Sequence, residues 1–457
     1  MFRLMVAAWA ALLVVMGAGG TADAAPPREG RSIPPTRTRP PLVPARAGKR
    51  SRDGTATWHG LRHPVRVHGP ASLPRATFAS IVHAIEDAWD TATLAFELPP
   101  PDVDPVTGGY DVYVVYGVAG LSDTFADHDT SFGGFDRRSA YSFVDADVAP
   151  GCLLETLVTT ELVRAIGMRT NPAMDDGTSR ATATALAKLA VPCAASLDLG
   201  ESVYQSNPGK AVMDDAAFPD RDRSVRYARG ASLFPTWLDD TFGTAPGRFV
   251  TALWALTPTK SPPTGARYIS EPDVFDVMRT SMKDAISTGS TFEDVLASYA
   301  VARTFFGSAD DGIHLLESRA LGDRALVRRD WSVPWPTTPR RFASVESLAP
   351  TGSSLVVVDT RSAPLGARLR IEASWEEHAK MRWTAVKVDA EGRKRAAIPV
   401  AAYDKATESQ ATITELGGTA FVYVVGVEVG EPFVPIDPDD GAWEPHAYLL
   451  TLAEEKP

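Results

Sequence analysis

Histidine and cysteine are scarce in this sequence, and their spacing limits the chemistry open to it. There are 8 histidines among 457 residues: His59, His63, His68, His83, His128, His314, His378 and His446. His59 and His63 stand four apart, but in WHGLRHPVRV (58–67), which reads as a strand. On a strand such a pair stands about 13 Å apart, too far to face one ion. The H-E-x-x-H pattern, which sets two imidazoles one helical turn apart around a carboxylate, occurs nowhere. A G-x-S-x-G nucleophile elbow, a P-loop and a dinucleotide-binding glycine fingerprint are also missing. A metal-dependent hydrolase with unrecognised ligands would draw them from a loop such as Ser122–Asp129, which is Asp-rich and includes His128. Asp437-Pro438-Asp439-Asp440-Gly441 begins like a calcium loop but lacks the full spacing and the Glu at position 12, so it reads as a turn.

The 2 cysteines, Cys152 and Cys193, are the other candidates. Cys152 opens a predicted helix and Cys193 follows the next one, which stops at Pro192. If the two helices pack antiparallel, a bridge would close their open end. The chain-entropy estimate for such a loop is roughly 4 kcal/mol. The alternative is two buried free thiols.

The surrounding elements set where these groups sit. TFASIVHAIEDAWDTATL (77–94) has apolar residues at helical spacing. YDVYVVYGV (110–118) and SAYSFVDAD (139–147) read as strands on either side of a Gly/Asp-rich loop. Helices are then predicted over 152–168, 178–191, 227–242, 246–256, 273–287 and 291–305. From about Ser344 the texture changes to short alternating runs, among them SSLVVVD, ARLRIEASW and AFVYVVGVEV. These predict a C-terminal β-sandwich of about seven strands. The fold class is therefore α+β.

The N-terminus carries Arg3, an apolar run from Leu4 to Met16 and a small-x-small site, Ala22-Asp23-Ala24. This is the pattern of a signal peptide over residues 1–24, and the run is short for a membrane span. A secreted or periplasmic protein is expected, without a transmembrane segment after cleavage. In that compartment two cysteines favour a disulfide. Residues 25–56 read as a basic, Pro-rich disordered linker. Between residues 25 and 52 eight Arg or Lys face one Glu, a net of +7, so a chain of net -11 carries about -18 on the rest. An acidic body argues against nucleic acid as a partner.

Several stretches fall in a familiar order. They are a helix ending near Trp89, the Pro-rich turn after it, YDVYVV (110–115), AYSFVDAD (140–147), DDGTSRATATALAKL (175–189) and RGASLFPTWLDDTFG (229–243). Over most of residues 57–457 this order resembles secreted bacterial zinc metallopeptidases of the gluzincin type. The resemblance implies a metallopeptidase-like domain over 57–343, made of a small sheet, a helical active-site region and a helical lobe. It implies a sandwich domain over 344–457. In that family two His and a Glu of H-E-x-x-H, with a Glu opening the next helix, hold and activate zinc-bound water. The matching positions here are Thr160, Glu161, Arg164 and Asp176.

A Thr hydroxyl is a poor zinc ligand, and a guanidinium has no lone pair to offer and a fixed positive charge. No zinc or other cofactor is therefore expected, and the four positions read as a vestigial motif. The implied fold brings the carboxylates of Glu161 and Asp176 together. Arg164 is placed to bridge them, the alternatives being that Asp176 caps its helix and that Arg164 reaches solvent. The expectation is an exported pseudoprotease, a non-catalytic protein holding a protein, a peptide or a cell-envelope glycan. The other readings are an active secreted metal-dependent peptidase and a structural cell-envelope protein.

Overall fold

The computed structural model describes residues 55–127, 137–172, 174–214, 216–258, 272–282, 289–400, 407–431 and 444–455. Residues 1–24, expected to be a signal peptide, nearly all of the expected linker over 25–56, His128 and Asp437–Gly441 lie outside them. The architecture is mixed α+β, with three sheets among the described residues. None of the described helices is long and apolar enough to cross a membrane.

The first sheet holds β1 (Thr55–His59), β2 (Val65–Pro70), β3 (Tyr110–Val115), β4 (Ser122–Ala126) and β5 (Ala140–Asp145), in the order β1-β2-β3-β5-β4. The inner strands β2, β3 and β5 run parallel, and the edges β1 and β4 run antiparallel to their neighbours. Helix α1 (Arg75–Asp90) is the crossover from β2 to β3. It buries Phe78, Ile81, Val82, Ile85 and Trp89 in one cluster with Val67, Val112 and Val144.

Two readings change here. WHGLRHPVRV is not one strand: the chain turns at Gly60, whose N–H donates to Val65 O at 2.8 Å, and β1 pairs back on β2. His59 ends β1, while His63 sits in the turn, stacked on Trp89 and 2.7 Å from Asp90. The Gly/Asp-rich loop also contains a strand, since Ser122–Ala126 forms β4 against β5.

Helices follow: α2 (Cys152–Thr170), α3 (Asp176–Ala190), α4 (Glu201–Gln205), α5 (Arg221–Gly230), α6 (Leu233–Phe242), α7 (Arg248–Ala255), α8 (Val274–Ser281) and α9 (Phe292–Ala302). Helix α2 is buried from Thr156 to Gly167 and has no solvent-facing side there, because the first sheet covers one side and helices the other. Cys152 at its start is bonded to Cys193 in the turn after α3, with Cα atoms 5.9 Å apart. The single helix expected over 227–242 is two, parted at Ala231–Ser232, where Gly230 packs on the backbone of Gly200.

The remaining strands are β6 (Trp331–Val333), β7 (Arg340–Ala343), β8 (Ser353–Asp359), β9 (Arg368–Trp375), β10 (Met381–Val388), β11 (Lys394–Val400), β12 (Glu408–Ile413), β13 (Phe421–Glu428) and β14 (Tyr448–Glu455). They form sheets of order β11-β10-β13-β8-β6 and β12-β9-β14-β7. Val356, Val358, Val422 and Val424 share a core with Leu369, Ile371, Leu450 and Leu452 of the other sheet. Their alternating neighbours Leu355, Val357, Val425 and Val427 join the helical core instead. Burial on both faces is why β8 and β13 read as unbroken apolar runs.

Candidate functional site

Thr160, Glu161, Arg164 and Asp176 lie where α2, α3, α5 and the edge strand β4 meet. Arg164 is 1% exposed and is held between acids from three elements. Its Nη1 donates to Glu161 Oε2 at 2.9 Å, one turn back on α2, and to Asp123 Oδ1 on β4 at 2.8 Å. Its Nη2 donates to Asp176 Oδ1 at the start of α3. Asp176 is not the helix cap: Asp175 is, accepting from Thr178 N at 2.9 Å. Thr160 takes no part, since its hydroxyl donates back to Thr156 O at 2.8 Å.

The sequence reading missed the other half of the cluster. Arg180, four residues along α3 from Asp176, donates from Nη2 to Asp176 Oδ2 and to Asp123 Oδ1, both at 2.8 Å. Arg229 on α5 donates from Nη2 to Glu161 Oε1 at 3.1 Å and to Ser122 Oγ at 2.6 Å, and from Nη1 to Gly120 O. Gly120 is at φ 63°, and a Cβ there would lie 2.2 Å from Val225 on α5, so the turn before β4 fits that helix only as glycine. Exposed Arg221 reaches Asp123 Oδ2 at 3.0 Å from outside. The signal for Arg180 was its i,i+4 spacing from Asp176; Asp123 and Arg229 had no signal without β4 and the split at α5.

Three buried guanidiniums thus face three carboxylates. Burial disfavours ionisation of Asp123, but Arg180 and Arg164 outweigh it and hold the carboxyl well below its usual range. Glu161 is buried too, and Arg164, Arg180 and Arg229 together keep it ionised. Asp176 is lowered, against the effect of burial, by Arg164 and Arg180. Arg229 differs: burial, with repulsion from Arg180 and Arg164, brings it down to about 10 despite Glu161. The cluster's hydrogen bonding is incomplete. Arg164 Nε, Arg180 Nε and Nη1, and Arg229 Nε are buried without an acceptor.

Glu161 also accepts from Ser122 Oγ at 2.6 Å and from Thr124 Oγ1 at 2.7 Å. Thr124 meets Ser142 Oγ at 2.6 Å, and Ser142 meets the Tyr110 hydroxyl at 2.6 Å. With Glu161 1% exposed and four side chains on its oxygens, no lone pair is left to take a proton from a substrate. The donor set does not suit zinc: Thr160 is a hydroxyl turned to its own helix, Arg164 is a cation, and Asp176 is bound to two arginines. Among the described residues no three His, Cys, Asp or Glu side chains are grouped to hold a metal. A cavity of about 230 Å³ lined by Thr236, Asp239, Asp240 and Glu317 shares no lining residue with this cluster.

No family model and no curated protein matches the chain. Among solved structures it is similar to the pre-peptidase C-terminal domain of a collagenase from Bacillus anthracis, at 10% identity and a TM-score of 0.19, too low to assign a fold. That match covers 28% of this chain and 97% of that domain.

Proposed function

We propose that this chain is an exported pseudoprotease, a non-catalytic binding or scaffold protein on a metallopeptidase-like fold with a C-terminal β-sandwich. The observation that carries the reading is Arg164, buried between Glu161, Asp123 and Asp176 at the position where the family places a metal-binding His. A guanidinium there supplies the positive charge the acids need but has no coordination position at which to bind and acidify a water. The seal over Glu161 supports the same reading, because a general base must reach the proton it abstracts. The two facing sheets support an accessory sandwich, and the N-terminal pattern supports export. The bound species is a protein, a peptide or an envelope glycan, held on surfaces outside the charged cluster.

The test is hydrolysis of casein by the purified mature protein, with and without added zinc and with chelator. No cleavage under any condition is expected. Chelator-sensitive cleavage that a Glu161→Gln variant abolishes would establish an active peptidase instead.

A further inference from the structure

Far from the arginine cluster, a second buried ionisable pair sits where the sheets meet the helical region. Glu428, at the end of β13, has a fully buried side chain, and its Oε1 lies 2.8 Å from His446 Nδ1. Its other oxygen, Oε2, is buried with no hydrogen-bond partner. An ionised carboxylate left half-unpaired away from water is costly, so this geometry favours a Glu428 carboxyl that keeps its proton.

The backbone around the pair grips one turn, Leu348–Ser353. Leu348 and His446 exchange N–H···O bonds at 2.8 Å, Thr351 N donates to Glu428 O at 3.1 Å, and Glu428 N donates to Gly352 O at 3.0 Å. On its other side the same turn grips the helical region. Ala349 N donates to Gly209 O at 2.8 Å, Ser353 N to Pro208 O at 2.7 Å, and Val212 N to Thr351 Oγ1 at 2.7 Å. Thr351 is held at φ 68°, a conformation that a non-glycine residue keeps only when its surroundings fix it.

We propose that the Glu428–His446 pair is a proton-loaded latch, which clamps the Leu348–Ser353 turn between sheet and helices while it holds its proton and loosens the turn as alkali removes it. The charges nearby act in one direction. Glu376, from the β9–β10 connection, and Glu431, just past β13, both disfavour a negative Glu428. Lys380 lies on that same connection, its backbone paired with Val429 and Gly430, and Glu444 precedes His446 on the incoming chain. The turn itself has no ionisable side chain. Burial, with those acids, pushes the Glu428 carboxyl up to about 9.

The sign follows from linkage. A carboxyl raised in the closed state and ordinary in the open state favours closure fully below its ordinary value near 4.5, and that preference is lost as pH rises to about 9. The open fraction then grows by up to about ten-fold per pH unit and levels off above the raised value.

The test is hydrogen exchange of the full chain at the amides of Leu348, Ala349, Thr351 and Ser353 between pH 6 and 10, corrected for intrinsic rates. Wild type should lose protection with pH and level off near pH 9, while E428Q, which cannot ionise, should show flat protection over the range. Parallel behaviour of the two proteins, or flat protection in wild type, would overturn the proposal. If E428Q fails to fold, the carboxyl carbon shift of Glu428 in wild type decides: a midpoint near 9 is expected, and one in the ordinary carboxylate range overturns it.

Discussion

Removing the Arg164 guanidinium while keeping its stem, as in R164M, tests the charge swap most sharply. The change deletes hydrogen bonds to Glu161, Asp123 and Asp176 and leaves three carboxylates facing Arg180 and Arg229. Charge-assisted bonds are worth about 1.5–3 kcal/mol each, which puts the gross loss at several kcal/mol. Part is recovered because a guanidinium no longer has to be desolvated, and breaking a buried pair from one side costs about 3–5 kcal/mol in practice. The predicted loss is therefore about 3–5 kcal/mol at pH 7, read from urea unfolding with an unchanged m-value. Adding D176N leaves two buried cations, Arg180 and Arg229, to two buried anions, Glu161 and Asp123, the latter also met by exposed Arg221, and should recover at least about 1 kcal/mol. The gap between R164M and wild type should also narrow toward pH 5, as the surplus carboxylate takes up a proton. A loss under about 1 kcal/mol, or no recovery in the double variant, would refute the view that Arg164 neutralises this cluster.

Other consequences follow from the same structure. Asp123, Glu161 and Asp176 are all held below their ordinary values of 3.8 and 4.5, so their contribution is complete above that range and is lost as pH falls through the depressed values. Acid titration of stability should show this loss, and D123N should flatten it. Replacing both Cys152 and Cys193 by Ser opens a cross-link spanning 41 residues in sequence and should cost about 4 kcal/mol, read as a lower Tm. A Cβ on Gly230 would lie 2.1 Å from Gly200 O, so G230A should cost about 1–3 kcal/mol by forcing α4 and α5 apart, measured by thermal unfolding.

The helices that carry Arg164 and Asp176 were legible because caps, proline stops and apolar spacing are local signals. The same reading put Cys152 and Cys193 at adjoining helix ends, where the bridge lies. Strand β4 was not legible. SDTFA is five residues long, sits among Gly and Asp, and is fixed as a strand by pairing with β5, a contact outside any sequence window. Missing it hid Asp123, which accepts from Arg164, Arg180 and Arg221. Arg229 was hidden differently: the run from Tyr227 to Phe242 keeps helical spacing through Gly230, and the break becomes visible when Gly200 is packed against it. The pair Glu428 and His446 is 18 residues apart with neither side chain on a recognisable motif, so tertiary packing alone brings it together.

In the proposed reading, the Arg164 guanidinium stands where a metal would. The decisive measurement is the zinc content of the purified protein after equilibration with excess zinc and removal of free metal. No stoichiometric zinc is expected, because Thr160 and Arg164 offer no ligands and Asp176 is bound to Arg164 and Arg180. One tightly bound zinc per chain, lost on replacing Glu161 or Asp176, would contradict it.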